Sequence, residues 1–352
     1  MRVELSRLAA LPDENAHSLS PDFYWSNAFL ELEQSMLRSE WMCVGHIGEV
    51  RNIGDYVATD ICDEQIVVVR GSDGEIRVLS NVCRHRGNRV ANGTGNTKRF
   101  VCGYHSWTYD TAGALRVAPY MDKRASFEPS KCSLPIFRHE VWNGWIFVNL
   151  SGTADPLGAR LDGLQDVVGN YHPEERHLVF IEDVVWDCNW KALFENFMEG
   201  YHLSSIHPTT LHPITPTRLS RKMLSGDAWT GYHAYYDPSY PPRGPFHPDL
   251  TEDECMNSPM YGVFPNLVVG MATNFTLFMC LRPNGVDRVS IRWGVAGLED
   301  DPTSQAVVDY VELCRAFNAE DKEKLEVGPL APEDYEGTIW DFVKYLARQL
   351  GS

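Results

Sequence analysis

The chain has 352 residues, 43% of them apolar, and a formal net charge of −17. That length predicts two domains of a soluble globular protein, and the acidic balance argues against nucleic acid or an anionic membrane surface as a partner. No run approaches 18 apolar residues, Met1 to Pro12 lacks the apolar core of a secretory signal, and the nine cysteines are scattered, so a cytoplasmic chain without transmembrane helix or disulfide framework is expected.

Residues 1–40 read as an N-terminal arm. Pro21-Asp22-Phe23-Tyr24-Trp25 precedes a helical pattern from Ala28 to Trp41. Phe29, Leu32, Met36 and Leu37 fall near one face, and Glu31, Glu33 and Arg38 take the other. Residues 41–150 are strand-rich. The stretches 56–59, 65–70 and 76–79 are short β-prone runs separated by turn signals such as Gly71-Ser72-Asp73-Gly74, and 141–150 reads as a hairpin.

Between these runs stand Cys83-Arg84-His85 and Cys102-Gly103-Tyr104-His105, 16 residues apart around a glycine-rich tip, Asn92-Gly93-Thr94-Gly95-Asn96. Each half offers one thiolate and one imidazole. A Cys2His2 zinc site is one reading. A two-iron, two-sulfur cluster, with two cysteines on one iron and two histidines on the other, is the second. Structural zinc sites of this ligand set pair Cys with Cys and His with His. Here each pair is mixed, as in two matching loops that each give one ligand to each iron. The other seven cysteines read as small buried hydrophobes.

After a polar link, Ser151 to Pro156, a brief helix is expected over Leu161 to Val168, a strand over Leu178 to Val185, and a helix over 186–207. Arg218 to Pro259 reads as long and irregular. Strands resume at 267–270, 274–282 and 288–296, the last two joined by the turn Pro283-Asn284-Gly285. Helices over Thr303 to Leu325 and Tyr335 to Leu350 close the chain, giving an α+β pattern.

The 186–207 segment carries a second motif. At 100° per residue, Glu195, Glu199 and His202 share one face. Polar, metal-capable groups on an otherwise apolar helix are costly unless used. His207 lies five residues past His202 and in a regular helix would point about 140° away. For both to bind one metal, the helix must end or distort around Ser204-Ser205, and Pro208 biases His207 out of the helical region.

The flanks Asn81-Val82-Cys83-Arg84-His85-Arg86-Gly87 and Cys102-Gly103-Tyr104-His105-Ser106-Trp107-Thr108-Tyr109 resemble the large (alpha) subunit of Rieske non-haem iron oxygenases. Asn189-Trp190-Lys191, Glu195-Asn196, the acidic Glu199, Tyr201-His202 and His207 resemble the mononuclear iron motif of the same family. The resemblance implies an α+β fold: an antiparallel β Rieske domain at 41–153, a helix-grip-like catalytic domain at 154–352, and the arm 1–40 packed on the latter. It assigns a [2Fe-2S] Rieske cluster to Cys83, His85, Cys102 and His105, and a mononuclear Fe(II) to His202, His207 and a carboxylate. Such a triad leaves coordination sites for dioxygen. The family pattern selects Asp321, in an acidic pair expected to open a helix, with Glu320 as the neighbour most easily confused with it. The family's usual Gln-x-Gly-Leu-like continuation is here Glu326-Val327-Gly328-Pro329-Leu330.

At the position of Glu199 the family usually has Asp, bridging an iron-ligand histidine to a cluster-ligand histidine across subunits of a ring. A Glu there resembles the branch acting on choline, betaine and carnitine, and gives Glu199 a catalytic role. The implied protein is the terminal oxygenase of a multicomponent system, a homotrimer using O2. Its electrons come from NAD(P)H through a separate reductase, with or without a ferredoxin, and no membrane or nucleic acid is involved. Hydroxylation and oxidative demethylation of an aromatic or quaternary ammonium substrate both remain open. Tyr232, Tyr235, Tyr236, Tyr240, Tyr261, Phe264, Phe275 and Phe278 are expected to line the pocket, with Arg218, Arg221 and Arg243 available to a carboxylate. The alternatives are a non-catalytic Rieske electron carrier and a zinc-stabilised binding module, neither of which needs the His202/His207 pair.

Overall fold

A computed structural model describes residues 1–12, 15–242, 244–322, 324 and 333–351. Arg243 and the stretch 326–330 lie outside the described residues. The chain forms two compact units, one of residues 38–154 and one assembled from residues 1–37 and 155–352.

The 38–154 unit contains β1 (Met42–His46), β2 (Asp55–Ile61), β3 (Glu64–Arg70), β4 (Ile76–Ser80), β5 (Thr94–Asn96), β6 (Arg99–Val101), β7 (Thr108–Asp110), β8 (Leu115–Val117), β9 (Ile136–Trp142) and β10 (Trp145–Asn149). Seven form an antiparallel sheet in the order β1-β10-β9-β4-β3-β2-β5, and β6-β7-β8 form a smaller one. Two tight hairpins set the register. Cys62 and Asp63 (φ 48° and 62°) turn β2 into β3, and Asn143 and Gly144 (φ 49° and 88°) turn β9 into β10. Paired left-handed residues match the right-handed twist of the strands they join. Val67, Val69, Leu79, Phe100, Trp107 and Tyr109 pack into one buried cluster with Cys83 and Cys102.

In the other unit, β11 (His177–Trp186), β12 (Ser220–Lys222), β13 (Trp229–Tyr235), β14 (Asn257–Val263), β15 (Leu267–Met271), β16 (Phe275–Pro283) and β17 (Val289–Gly297) form an antiparallel sheet. Its order is β11-β17-β16-β15-β14-β13-β12. The helices are α1 (Arg2–Ala9), α2 (Asp22–Trp25), α3 (Asn27–Ser39), α4 (Leu157–Arg160), α5 (Leu164–Val168), α6 (Trp190–Phe197), α7 (Leu203–Ile206), α8 (Gln305–Asp321) and α9 (Glu333–Leu350). Ser304 starts α8 by accepting the Val307 N–H on its hydroxyl. The region expected to be irregular, 218–259, in fact holds β12, β13 and the start of β14. The first four residues of β13 are buried, so it lacks the alternation that marks a half-exposed strand.

The arm helix corrects another expectation. Glu33, read onto a solvent face, is 1% exposed. Its carboxylate lies 2.7 Å from Nζ of Lys191 on α6, itself 0% exposed. Rings of Tyr24, Phe29 and Trp190 surround the ammonium at 5.3, 5.7 and 5.4 Å. Burial pushes Glu33 up and Lys191 down in pKa, each opposed by the other's charge. Removing one partner of such a pair leaves a buried uncompensated charge, which costs about 3–5 kcal/mol. Lys191→Met should therefore destabilise the chain by that amount in urea unfolding. The Lys191→Met/Glu33→Leu double variant should recover most of it. Equal losses in single and double variants would show that the pair is not the cause.

Candidate active site

Two loops of one design carry the mixed Cys/His pairs. In the first, Gly87 N–H donates to Cys83 O (3.0 Å) and Cys83 N–H to Asn88 O (2.9 Å). In the second, Ser106 N–H donates to Cys102 O (3.0 Å) and Cys102 N–H to Trp107 O (2.8 Å). The fifth residue of each turn is left-handed, Gly87 at φ 74° and Ser106 at φ 59°. Each turn buries its cysteine and projects its histidine outward: Cys83 and Cys102 are buried, His85 is half-buried and His105 exposed.

The His85 and His105 rings meet edge to face, centroids 4.5 Å apart, and His85 stacks on Trp107 at 4.8 Å. His85 Nδ1 is buried and makes no hydrogen bond. Burial, then His105 and Arg86, lower the His85 pKa and favour the neutral ring, the form that ligates metal. Burial raises the Cys102 thiol, but N–H donors from Tyr104 and His105, with Cys83 and Asn88, outweigh it and lower its pKa. An orphaned imidazole nitrogen and a thiol biased toward thiolate fit a metal cluster held by two sulfurs and two nitrogens. Tyr109 hydroxyl lies 3.3 Å from Cys83 Sγ and accepts the Arg84 N–H at 3.0 Å. Hydrogen bonds to ligand sulfur raise a cluster's potential. Tyr109→Phe should lower the midpoint in a redox titration with the visible spectrum retained, and an unchanged midpoint would remove the hydroxyl from that role.

The second site forms where α6 gives way to α7. The break comes earlier than expected, across Met198–Tyr201 and not at Ser204-Ser205. Two features place it there. Gly200 lies so close to Ser220 that a Cβ would sit 2.3 Å from its Oγ. Glu199 also folds back, its Oε2 accepting the N–H groups of Tyr201 and His202. These bonds compete with helix continuation. The chain restarts as the single turn α7, which ends at His207 (φ −112°, ψ 51°) just before Pro208.

This geometry brings His202, His207 and Asp321 together, one ligand atom of each lying within 4.8 Å of the others. Asp321 Oδ1 is 3.5 Å from His202 Nε2 and 3.0 Å from His207 Nε2. Despite the short separation, neither His207 Nε2 nor Asp321 Oδ1 makes a hydrogen bond, so the two atoms are not aimed at each other. That is the arrangement of groups sharing a cation. Each histidine is held from its other nitrogen by a carboxylate: Glu199 on His202 Nδ1, Glu320 on His207 Nδ1 at 2.7 Å. Thr210 steadies Glu320 by donating its hydroxyl at 2.6 Å. Carboxylate–imidazole pairs of this kind orient metal ligands. Burial lowers the His202 pKa, but Glu199, Asp321 and Glu336 outweigh it and the net shift is upward, so the site favours positive charge.

Two expected placements change. Asp321 is the last residue of α8 and does not open a helix. Glu195 faces away from the histidines, both carboxylate oxygens accepting from the Tyr24 hydroxyl at 2.9 and 2.8 Å, and burial pushes its pKa up to about 7.

Beside the triad lies a cavity of about 130 Å³ whose lining is predominantly apolar. Of the expected liners only Tyr232 and Tyr236 contribute. Other lining residues, such as Met260, come from the 210–265 stretch expected to supply the pocket, and the wall is completed by residues that sequence reasoning missed, notably Phe197 and, from α8, Tyr310 and Phe317. Tyr261, Phe264 and Phe278 are core residues, and Tyr240 is 57% exposed. Phe275 instead backs Tyr310, rings stacked at 4.6 Å, and Tyr235 bonds Asp253. Arg218 pairs with Asp237, and Arg221 donates to the carbonyls of Arg218 and Ser220. No lysine or arginine lines the cavity among the described residues.

Comparison with known proteins fits this arrangement. Residues 40–135 match the Rieske [2Fe-2S] domain, and residues 168–336 match the catalytic domain of the ring hydroxylating alpha subunit. The chain is 31% identical over 230 residues to the carnitine monooxygenase oxygenase subunit of Escherichia coli K12, covering 64% of this chain and 61% of that one. It is 35% identical over 206 residues to the benzene 1,2-dioxygenase alpha subunit of Pseudomonas putida F1, covering 56% and 46%. The matched region thus spans about half to three-fifths of these relatives' length. A quaternary ammonium Rieske monooxygenase superposes with a TM-score of 0.86 at 21% identity, covering 98% of both chains. Naphthalene 1,2-dioxygenase from Rhodococcus sp. does so with 0.82 at 20%, covering 99% and 98%. At such identities these likenesses speak to fold. No helix among the described residues is long and apolar enough to cross a membrane. With a cysteine–histidine loop pair in one unit, a two-histidine, one-carboxylate cluster in the other, and a family model matching each, the chain belongs to the large (alpha) subunit family of Rieske non-haem iron oxygenases.

Proposed function

We propose that this chain is the terminal oxygenase of a Rieske system, inserting oxygen from O2 into a compact organic substrate with electrons from a separate reductase. The observation that carries the reading is the convergence of His202, His207 and Asp321 at the wall of an apolar cavity. A Rieske electron carrier needs neither that cluster nor the cavity. In this reading Cys83 and Cys102 hold one iron of the [2Fe-2S] cluster and His85 and His105 the other, while His202, His207 and Asp321 hold the mononuclear iron. When bound, these groups supply one-electron transfer and oxygen activation.

The chain's own residues orient and exclude. Glu199 and Glu320 fix the two imidazoles from behind. The cavity wall desolvates the substrate. Glu199 is also the proposed link to a neighbouring chain. A carboxylate has about four lone-pair sites, and three are used by His202 Nδ1 and the N–H groups of Tyr201 and His202. The remaining one suits a single further donor, which we assign to His105 of an adjacent subunit in a homotrimer acting in the cytoplasm.

The cavity also bears on substrate class. An apolar cavity of about 150 Å³ holds benzene; this one, at about 130 Å³, is slightly smaller and of the size of a single ring. A carboxylate buried there would have no lysine or arginine to pair with, which is unfavourable. We therefore favour a neutral, single-ring substrate over carnitine or glycine betaine. Glu199 supports a second reading, oxidative demethylation of a quaternary ammonium, whose cation could meet the faces of Tyr232 or Tyr236. A panel of benzene, toluene, phenol, benzoate, carnitine and glycine betaine, run with a surrogate reductase and scored for product against peroxide, decides between them. The neutral rings should couple best. Coupled product from the betaines alone would overturn the preference, and no product with any substrate, despite both metals bound, would count against the oxygenase itself.

A further inference from the structure

Away from the triad, two His-Pro dipeptides meet. His172-Pro173 follows α5, and His247-Pro248 lies in the connection between β13 and β14. Their rings stack with centroids 3.9 Å apart and planes 29° from parallel. Three carboxylates gather around them. Asp249 Oδ2 is 2.8 Å from His172 Nε2 and 3.9 Å from His247 Nδ1. Glu174 and Glu175 each come within 3.6 Å of His172 Nδ1, and Glu175 within 3.9 Å of His247 Nε2. The Asp249 N–H donates to His247 Nδ1 at 3.3 Å, holding ring and carboxylate in one turn.

Three features single this cluster out. One ligand atom each from His172, His247 and Asp249 lies within 4.8 Å of the other two. No lysine or arginine pairs with Glu174, Glu175 or Asp249 among the described residues, so three negative charges surround two imidazoles without a fixed cation. His172 is held at φ 45°, ψ 57°, a left-handed conformation disfavoured for a residue with a Cβ, and its Nδ1 is buried without a hydrogen-bond partner.

We propose that His172, His247 and Asp249 bind one divalent transition metal of the zinc class, with Glu175 on the far side of both rings adding negative charge but no ligand. Imidazole nitrogen with carboxylate oxygen suits zinc, cobalt or nickel, whereas calcium and magnesium prefer oxygen alone. The metal would staple residues 170–175 to the 237–256 connection. Asn170 and Tyr171 already grip that connection, through the Glu254 carboxylate at 3.1 Å and the Glu254 carbonyl at 3.0 Å. Its two ends carry Tyr236 and Ser258, cavity-lining residues whose hydroxyls lie 3.0 Å apart. A bound cation here would stiffen one wall of the cavity without touching the triad.

The test counts metal and needs no turnover, so it is independent of the oxygenase reading. Iron-loaded protein is incubated with zinc chloride, desalted and analysed by mass spectrometry for both metals. The wild type should keep about one zinc per chain beyond its iron, and micromolar zinc should raise its Tm. His247→Ala and Asp249→Asn should lose both effects while retaining the cluster's visible spectrum. His207→Ala should keep the zinc. No retained zinc in the wild type, or zinc that survives His247→Ala and disappears with His207→Ala, would overturn the proposal.

Discussion

Asp321→Ala should strip the mononuclear iron and abolish product formation while leaving the visible spectrum of the Rieske cluster intact. Iron analysis should fall from about three atoms per chain to about two, the number a two-iron cluster alone accounts for. The expectation follows from position. Asp321 Oδ1 is the carboxylate oxygen that approaches Nε2 of both histidines, and it is buried without a hydrogen bond. No other carboxylate among the described residues completes the His202/His207 cluster. Glu320, one residue away, supplies the contrast. It reaches Nδ1 of His207, the nitrogen facing away from the triad. Glu320→Gln should therefore weaken iron retention by roughly 10–100-fold in chelator competition, the usual effect of losing a group that orients a ligand. Loss of iron in Glu320→Gln with retention in Asp321→Ala would exchange the two roles.

Glu199→Ala should give a different phenotype: with Fe(II) supplied in excess to offset the weaker hold on His202, both metals bound, turnover nearly gone. His202 keeps its Nε2 for the metal, and neither His207 nor Asp321 depends on Glu199 for its placement. What disappears is the carboxylate on His202 Nδ1 and the site assigned to the neighbouring chain's His105. We expect reductase-driven product formation to fall about 100-fold or more, at the upper end for removal of a group behind a ligand. Reduction of the cluster by dithionite should proceed normally. Its reoxidation by O2 in the presence of substrate should become slow, which a stopped-flow trace at the cluster's visible band would report. Normal coupled turnover in Glu199→Ala would reject the bridge.

Much of this site was legible in the linear order of residues, and the gaps have identifiable causes. The pairing of one cysteine with one histidine in each half of the 83–105 segment reflects two loops of one design. The left-handed Ser106 was not readable, because a serine does not announce a positive φ as Gly87 does. Helical periodicity placed Glu195 with Glu199 and His202. It failed because Tyr24 arrives from 171 positions earlier in the chain and claims that carboxylate. The same periodicity misplaced the helix break, since a side chain that folds back onto Tyr201 and His202 N–H groups leaves no local pattern. Three cavity residues were missed for a related reason. Tyr310, Leu313 and Phe317 come from α8, the helix that ends in Asp321. Which helix packs against which sheet face is decided by tertiary contacts, not by the helix's own sequence.

The division of the chain also has a consequence for its biosynthesis. Residues 38–154 form a module inserted into another, and its ends are stitched together by the Ser151 N–H bond to Arg38 O at 2.9 Å and by pairing of Met42 with Val148. That module can close as soon as β10 clears the ribosome. The first 37 residues cannot. Glu33 must wait for Lys191, and the host sheet lacks its second strand until β17 is made. At about 5–20 residues per second, the nascent arm spends on the order of ten seconds to a minute with apolar Phe23, Tyr24, Phe29 and Met36 uncovered. A chaperone acting during translation should therefore engage the N-terminal arm in preference to the inserted module.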